Sequence, residues 1–484
     1  MDKFYITTSI AYVNAAPHIG FALESVQADV LARYNRQLGK PVFFLTGTDE
    51  HGAKIARAAE VANEKPQQFV DRISAEFKKL KSLLNLSWDD FIRTTDEKRH
   101  WPNVEKLWRQ WQANGDLYKK NYRGLYCVGH EAFVTEKDLK DGKCQDHQKE
   151  PEVIEEENYF FRLSKYAPQV RNLIAKDELL ILPEGKKKEV LAFLDQQEIE
   201  DISFSRPRKD LNWGIPVPDD DSQTIYVWAD ALTNYLMPKD WWPADVHLIG
   251  KDILRFHAIY WPAMLLAAKL PLPKKIFVHG HITVDGQKMS KSLGNVVDPF
   301  SLVEKYGSTS SPQVAADIIR YFLLRELPSG DDGDFSYEKL AERYQGELAN
   351  GLGNFTARVL ALGEQVGPIA AEIEPAIDEA IFKAEKAVAE KIENFRLHEA
   401  LAAIWELISF GDAYVNENKV WAIVDAEEKK NKISQLAFIL ERVCFLVEPF
   451  LPATVEAIGQ GLTKNEKGEW LLKKIPVLFP RLDK

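Results

Sequence analysis

The sequence predicts an α/β chain in which a parallel sheet is interrupted by an insertion, completed, and followed by an α-helical bundle. Three observations carry that prediction. Strand, helix and strand patterns alternate at the start of the chain and again from about residue 225. Between about 115 and 225 the pattern breaks into short, turn-rich pieces of irregular charge. From about 340 onward the apolar spacing is helical, with few strand signals.

Taken in order, "KFYITTSI" at 3–10 reads as a buried strand, and "HIGFALESVQADVLARYNRQLG" has apolar residues at helical spacing and closes on a glycine. "PVFFLTGTDEHG" is a second strand that ends in small, acidic and imidazole side chains. This order opens a Rossmann-type sheet, whose ligands sit at the carboxyl ends of strands. "TIYVWADALTNY", "DVHLIGKDILRFHAIYWPAMLLAA" and "KIFVHGHITV" resume it, and 342–362, 378–393 and 396–418 read as long amphipathic helices. The boundaries fall at 1–115 and 225–340 for the two halves of the sheet domain, 116–224 for the insertion and 341–484 for the bundle. No internal repeat or low-complexity tract interrupts this plan, and no further module is expected after "IPVLFPRLDK".

Composition narrows the class. With 484 residues, 45% hydrophobic and 28% charged, the chain is an ordinary globular one of two to four domains. A net charge of −11 argues against a general nucleic-acid coat, although local basic surfaces can still bind RNA. There is no apolar run of membrane-spanning length and no cleavable leader in "MDKFYITTSIAYV", so a cytoplasmic location without a membrane partner is expected. Three cysteines, Cys127, Cys144 and Cys444, are too few for a disulfide scaffold and suit a reducing compartment.

Two stretches carry phosphate chemistry. "PHIGFALE" starts a helix whose unpaired N–H groups and dipole favour an anion; His18 adds an imidazole donor and Gly20 permits close approach. "GHITVDGQKMSKSLGNVVDP", 280–299, places Lys288 and Lys291 in a loop of small residues bracketed by Gly286 and Gly294, which reads as a mobile clamp for a pyrophosphate. In the insertion, Cys127, His130, Cys144 and His147 form two short-spaced Cys-x2-His pairs, the pattern of a structural zinc knuckle.

"HIGF" at 18–21 and "KMSKS" at 288–292 resemble the two signatures of class I aminoacyl-tRNA synthetases. "YVNAAPHIG", "FLTGTDEHG", "EENYFFRLSKY", "WGIPVP", "YVWADALTNY" and "HLIGKDILRFHAIYWPAML" are similar to methionyl-tRNA synthetases in particular, over essentially the whole chain. The resemblance implies that methionine and ATP, with Mg2+, give methionyl-adenylate and pyrophosphate, and that methionine then passes to the terminal adenosine of tRNA(Met). It assigns His18, Lys288 and Lys291 to catalysis. To ATP it assigns those three with Gly20, Phe21, Gly250, Asp252 and Ser290. The methionine pocket would be Ile10, Tyr12, Asp49, Trp228, Ala231, Tyr235, Ile253 and His257, with Asp49 on the α-ammonium. A thioether favours such polarizable walls. Asn354, Arg358 and Trp421 match anticodon positions, where an aromatic platform beside an amide and a guanidinium suits splayed bases. The 225–340 half would also contact the tRNA stem. Some family members dimerise through an appended C-terminal domain; this sequence shows none, so a monomer is expected.

The chain departs from the family pattern in places. Phe21 stands where the second histidine of HIGH is usual, and it cannot donate to a phosphate. His130 stands where the family has cysteine. Ser9 and Ala11 flank Ile10 where alanine and proline are commoner, and 308–317 is longer than usual. Two rival readings are a catalytically impaired tRNA-binding paralogue and a class I synthetase of another specificity. The former is opposed by His18, Asp49 and both lysines; a cysteinyl enzyme by the absence of cysteine before the first helix; an editing enzyme by the short insertion.

Overall fold

The structure is a computed structural model that describes residues 2–129, 132–134, 139–145, 148–196, 199–289, 294–307 and 314–482. The chain divides into two compact units. One comprises Met1–Ala16, Lys40–Lys79 and Trp88–Val278; the other comprises Pro17–Gly39, Leu80–Ser87 and His279–Lys484.

The first unit is built on a parallel sheet. Strand β1 (Phe4–Thr8) is aromatic and β-branched and buries four of its five residues. It pairs in parallel with β3 (Val42–Asp49) on one side and with Val246–Gly250 on the other. The sheet order is Leu180–Leu182, Lys275–His279, Val246–Gly250, β1, β3 and the short β2 (Ala11–Tyr12), with β4 (Asp90–Arg93) also on β3. Gly47 inside β3 has a steric cause, because a Cβ there would lie 2.2 Å from the Ile92 carbonyl oxygen.

The predicted insertion is more ordered than its sequence reads. Strand β5 (Leu117–Cys127) and Glu152–Phe161 form a long antiparallel ribbon, with helices at Leu163–Ala175 and Glu184–Gln196. The middle of β5, "KKNYRG", is largely exposed, so the alternation that marks a half-buried strand is absent from its sequence. Within this stretch Leu180–Leu182 also returns to the parallel sheet, pairing with Lys275–Phe277. Trp108, Trp111, Phe161, Phe204 and Trp261 form a common core in this unit, with Phe161 and Phe204 stacked at 4.7 Å.

In the second unit, α1 (Ile19–Gln37) accompanies the C-terminal helices. The predicted helix at 342–362 is observed as Tyr337–Arg343, a π-helical stretch Tyr344–Gly353, and Asn354–Glu364. Those expected at 378–393 and 396–418 are Pro375–Glu393 and Leu397–Glu417. Arg320, fully buried, ties the unit together: it donates to Asp29 on α1 and to the carbonyls of Leu84, Pro449 and Phe450. Among the described residues no helix is long and apolar enough to cross a membrane.

Candidate functional site

In the first unit, neighbouring strands of the parallel sheet end side by side, and their carboxyl ends carry the predicted residues. Ile10 and Tyr12 follow β1, Asp49 closes β3, and Gly250 closes Val246–Gly250, with Asp252 exposed just beyond it. Tyr12 is in register with Asp49. Asp49 is buried at 5% exposure.

Trp228 and Ala231 lie on the one-turn helix Val227–Ala231, and Tyr235 on the tight turn that continues it. Tyr12, Trp228 and Ile253 pack against the core that contains Tyr235, while Ile10 packs against the smaller cluster of Tyr5, Leu45, Ile92 and Ala244. Trp228 stacks face to face on Phe256 at 3.8 Å and lies edge-on to His257 at 6.2 Å. His257 Nδ1 is 3.0 Å from the Ile253 carbonyl, which can only accept, so Nδ1 carries the proton and Nε2 accepts from the Tyr235 hydroxyl at 2.8 Å. Burial pushes this ring's pKa down to about 4, which keeps it neutral. Behind it, His247 accepts from Trp261 Nε1 and donates to Thr7, and burial holds its pKa well below the usual range. The wall is aromatic and uncharged.

The second unit holds the helix start. His18 is the N-cap of α1: its backbone is extended and its Nδ1 accepts the Gly20 N–H at 3.0 Å. A neutral imidazole that accepts at Nδ1 carries its proton on Nε2, and the exposed ring can donate it. Gly20 is required by that cap, since a Cβ would stand 2.8 Å from His18 Cε1 and 3.8 Å from Met289 Cε. Met289 of the "KMSKS" stretch therefore lies beside the start of α1. The Ile19 N–H also donates to the Val297 carbonyl at 3.1 Å, which ties in the far side of that stretch. Phe21 is half-buried, its N–H bonded to the His18 carbonyl at 3.1 Å.

Ile282–Val284 and Gln287–Lys288 form a hairpin closed by Asp285 and Gly286, both at positive φ, as a two-residue turn with a right-handed twist demands. Gly286 also donates its N–H to Asp334 at 2.7 Å. The Lys288 side chain and residues 290–293, Ser290 and Lys291 among them, lie outside the described residues, as do 308–313.

Cys127 ends β5 and Cys144 lies in the two-stranded Leu139–Lys140/Lys143–Cys144 hairpin; both are buried. His130 and His147 lie outside the described residues, among which no group of three or more potential metal ligands forms. In the bundle, Asn354 is exposed, and Arg358 is held by Asp412 at 2.7 Å and Asn416 at 2.6 Å. Trp421 is 53% exposed rather than packed, on a short turn that follows the left-handed Lys419.

Sequence reasoning missed two buried polar clusters. His51 and His100 both bond Asp230. His279, at the end of its strand, bonds Glu24 of α1 at 2.9 Å. The signal that could have found the first was adjacency: His51 lies two residues past Asp49, and Asp230 between Trp228 and Ala231.

The chain matches a family described as tRNA synthetases class I (M) over residues 4–148 and 134–360, and one described as the anticodon-binding domain of tRNA ligase over 376–481. It is 41% identical to the methionine–tRNA ligase of Thermotoga maritima over 493 aligned positions, covering 96% of this chain and 76% of that protein. The methionine–tRNA ligase of Brucella suis is also 41% identical, with 94% and 91% covered. Among solved structures, the methionyl-tRNA synthetase of Mycobacterium tuberculosis in complex with methionyl-adenylate superposes with a TM-score of 0.90 at 36% identity, covering 99% of this chain and all of that one.

Proposed function

We infer the roles of individual residues from one premise: the chain belongs to the class I methionyl-tRNA synthetases and is an ATP-dependent methionine–tRNA ligase. The observation that carries the assignment is the helix start, where His18 caps α1 through Nδ1, which puts the proton of the neutral ring on Nε2, and where Met289 lies close to Gly20. As the methionine carboxylate attacks the α-phosphate, charge builds on the departing pyrophosphate. His18, the positive end of α1, Lys288 and Lys291 stabilise it, and Gly20 and Ser290 supply close contacts. Phe21 donates nothing, and those groups carry its share. Mg2+ accompanies the triphosphate. Gly250 is assigned to ATP and Asp252 to its ribose.

Methionine's α-ammonium is assigned to Asp49, and its thioether to Ile10, Tyr12, Trp228, Ala231, Tyr235, Ile253 and His257. The neutral His257–Tyr235 pair supports this, because an uncharged aromatic wall favours a thioether and penalises a charged side chain. The methionyl-adenylate held by the Mycobacterium tuberculosis relative is the intermediate this scheme requires. Transfer to the terminal adenosine of tRNA(Met) follows, with Asn354, Arg358 and Trp421 reading the anticodon. The exposure of Trp421 supports a stacking platform. The four segments 1–115, 116–224, 225–340 and 341–484 then serve as catalytic half, connective insertion, second catalytic half and anticodon domain, in a cytoplasmic monomer.

Methionine-dependent pyrophosphate exchange tests the core of this reading. His18→Ala and Gly20→Ala should each lower it by about 10²–10³-fold, the loss typical of an oriented transition-state donor, with little change in melting temperature. Exchange within a few-fold of wild type in both variants would refute the role of His18.

Structural zinc on Cys127, His130, Cys144 and His147 is the remaining assignment. Two buried cysteines, one at the end of β5 and one in the Leu139–Lys140/Lys143–Cys144 hairpin, fit thiolate ligation, and the metal would brace the insertion rather than take part in chemistry. Metal analysis of the purified protein should give one zinc per chain, and dialysis against a chelator should lower the melting temperature. A metal-free protein with unchanged melting would dismiss it.

A further inference from the structure

His51, His100 and Asp230 come from three distant places in the chain and meet inside the first unit. His51 Nδ1 is 2.6 Å from Asp230 Oδ2, and His100 Nε2 is 2.5 Å from Asp230 Oδ1. None of the three side chains is more than 3% exposed. A carboxylate only accepts, so each imidazole donates an N–H to its own oxygen. Among the described residues His100 Nδ1 has no hydrogen-bond partner. A proton there would be an unsatisfied buried donor, so the proton that His100 gives to Asp230 is carried on Nε2. Burial pulls the Asp230 pKa up, but the electrostatics and N–H bonds of the neighbouring His51 and His100 outweigh it and hold the carboxyl below its usual value.

His51 is enclosed as well. Its ring lies 6.0 Å from Trp101 and 5.6 Å from Trp213. Trp213 Nε1 donates to the Glu50 carbonyl at 2.6 Å, and the Gly52 N–H donates to the Trp213 carbonyl at 3.3 Å. The segment that follows Asp49 is thus fixed on both sides. Asp230 belongs to the one-turn helix Val227–Ala231, too short to hold its own orientation by backbone bonds alone. A buried carboxylate is costly to desolvate, and apolar residues of equal volume would fill the space more cheaply. What two directed bonds add is a fixed register between the elements they join.

We infer that Asp230 is a positioning residue for amino-acid selection. Through His51 and His100 it locks the segment carrying Asp49 to the helix carrying Trp228 and Ala231, so that the ammonium partner and the thioether wall keep one separation. This rests on the assignment of Asp49, Trp228 and Ala231 to methionine. The ligand whose recognition it governs is one with a cationic head and a thioether a fixed number of bonds away; ATP is not.

Pyrophosphate exchange with the full chain, read as separate KM values for methionine and ATP, tests it. Asp230→Asn should raise the methionine KM by roughly tenfold or more, as expected for a displacement well under 1 Å, while the ATP KM stays within about twofold. His100→Phe should do the same. His100→Gln, which keeps an N–H near the Nε2 position, should stay close to wild type, a rescue that mere space-filling would not give. Asp49→Asn and Trp228→Ala serve as references. If these raise the methionine KM but Asp230→Asn and His100→Phe do not, or raise both KM values alike, the positioning role is overturned and the pocket stands. If the references leave the methionine KM unchanged, the pocket assignment itself falls. Should Asp230→Asn fail to fold, the contrast between His100→Phe and His100→Gln decides the same question.

Discussion

Replacing Arg320 with methionine isolates a wholly buried interaction that ties α1 to the rest of the second unit. Its guanidinium, wholly buried, donates to Asp29 Oδ2 at 2.8 Å, to the Phe450 carbonyl at 2.7 Å, to Pro449 at 2.9 Å and to Leu84 at 3.1 Å. Methionine fills comparable space but leaves three carbonyls without this donor and strips one partner from Asp29. That carboxylate keeps Arg33 Nε at 2.8 Å and both the N–H and hydroxyl of Ser87 at 2.6 Å, so it stays ionised. Breaking one side of a buried ion pair costs about 3–5 kcal/mol, and part of an unsatisfied carbonyl's penalty is recovered by local relaxation. We expect a loss of about 4 kcal/mol. For a unit of this size that is a fall of roughly 10 °C in its calorimetric transition. Combining Asp29→Asn with Arg320→Met should cost less than the sum of the single changes, since each single change removes the same bond. A fall below about 3 °C, or strict additivity, would refute the claim that this arginine holds α1 to the C-terminal helices.

The other predictions follow from single sites. Burial lowers the His257 pKa to about 4, below the unfolded value of about 6.5, so the stability it secures is whole above pH 6.5 and is lost as pH falls through 4, about 3 kcal/mol in all. Urea midpoints across pH 4–7 should show that loss, and His257→Asn should flatten it; an equal loss in the variant would refute the cause. Phe21→His should change the exchange turnover by less than about tenfold, because in the proposed assignment His18 and the helix start carry the phosphates; a wild type without exchange that this change rescues would reverse the reading. Trp421→Ala should raise the aminoacylation KM for tRNA by roughly 5–150-fold, the range of one base–aromatic stack, and leave methionine-dependent exchange untouched. Loss of exchange would show instead that Trp421 is structural.

The sequence alone determined the strand–helix–strand opening, the resumption of the sheet near residue 225, the helical C-terminal part and the two signature stretches. All of these are written in local periodicity and short motifs. What it left open depends on residues that are far apart along the chain. The bonds from Asp230 to His51 and His100 span 179 and 130 residues, and that from Arg320 to Asp29 spans 291. No local pattern encodes such pairs, because a buried aspartate and a solvated one look alike until tertiary packing removes the water. The same holds for His18, whose sequence offers a donor but not which nitrogen gives the proton; the Gly20 N–H settles that through the cap. It holds for Trp421, whose local pattern does not say whether its ring is packed or exposed, and which the fold leaves exposed. The ribbon in the insertion was illegible for a related reason: its exposed middle carries polar residues on both faces, and only pairing with Glu152–Phe161 makes it a strand.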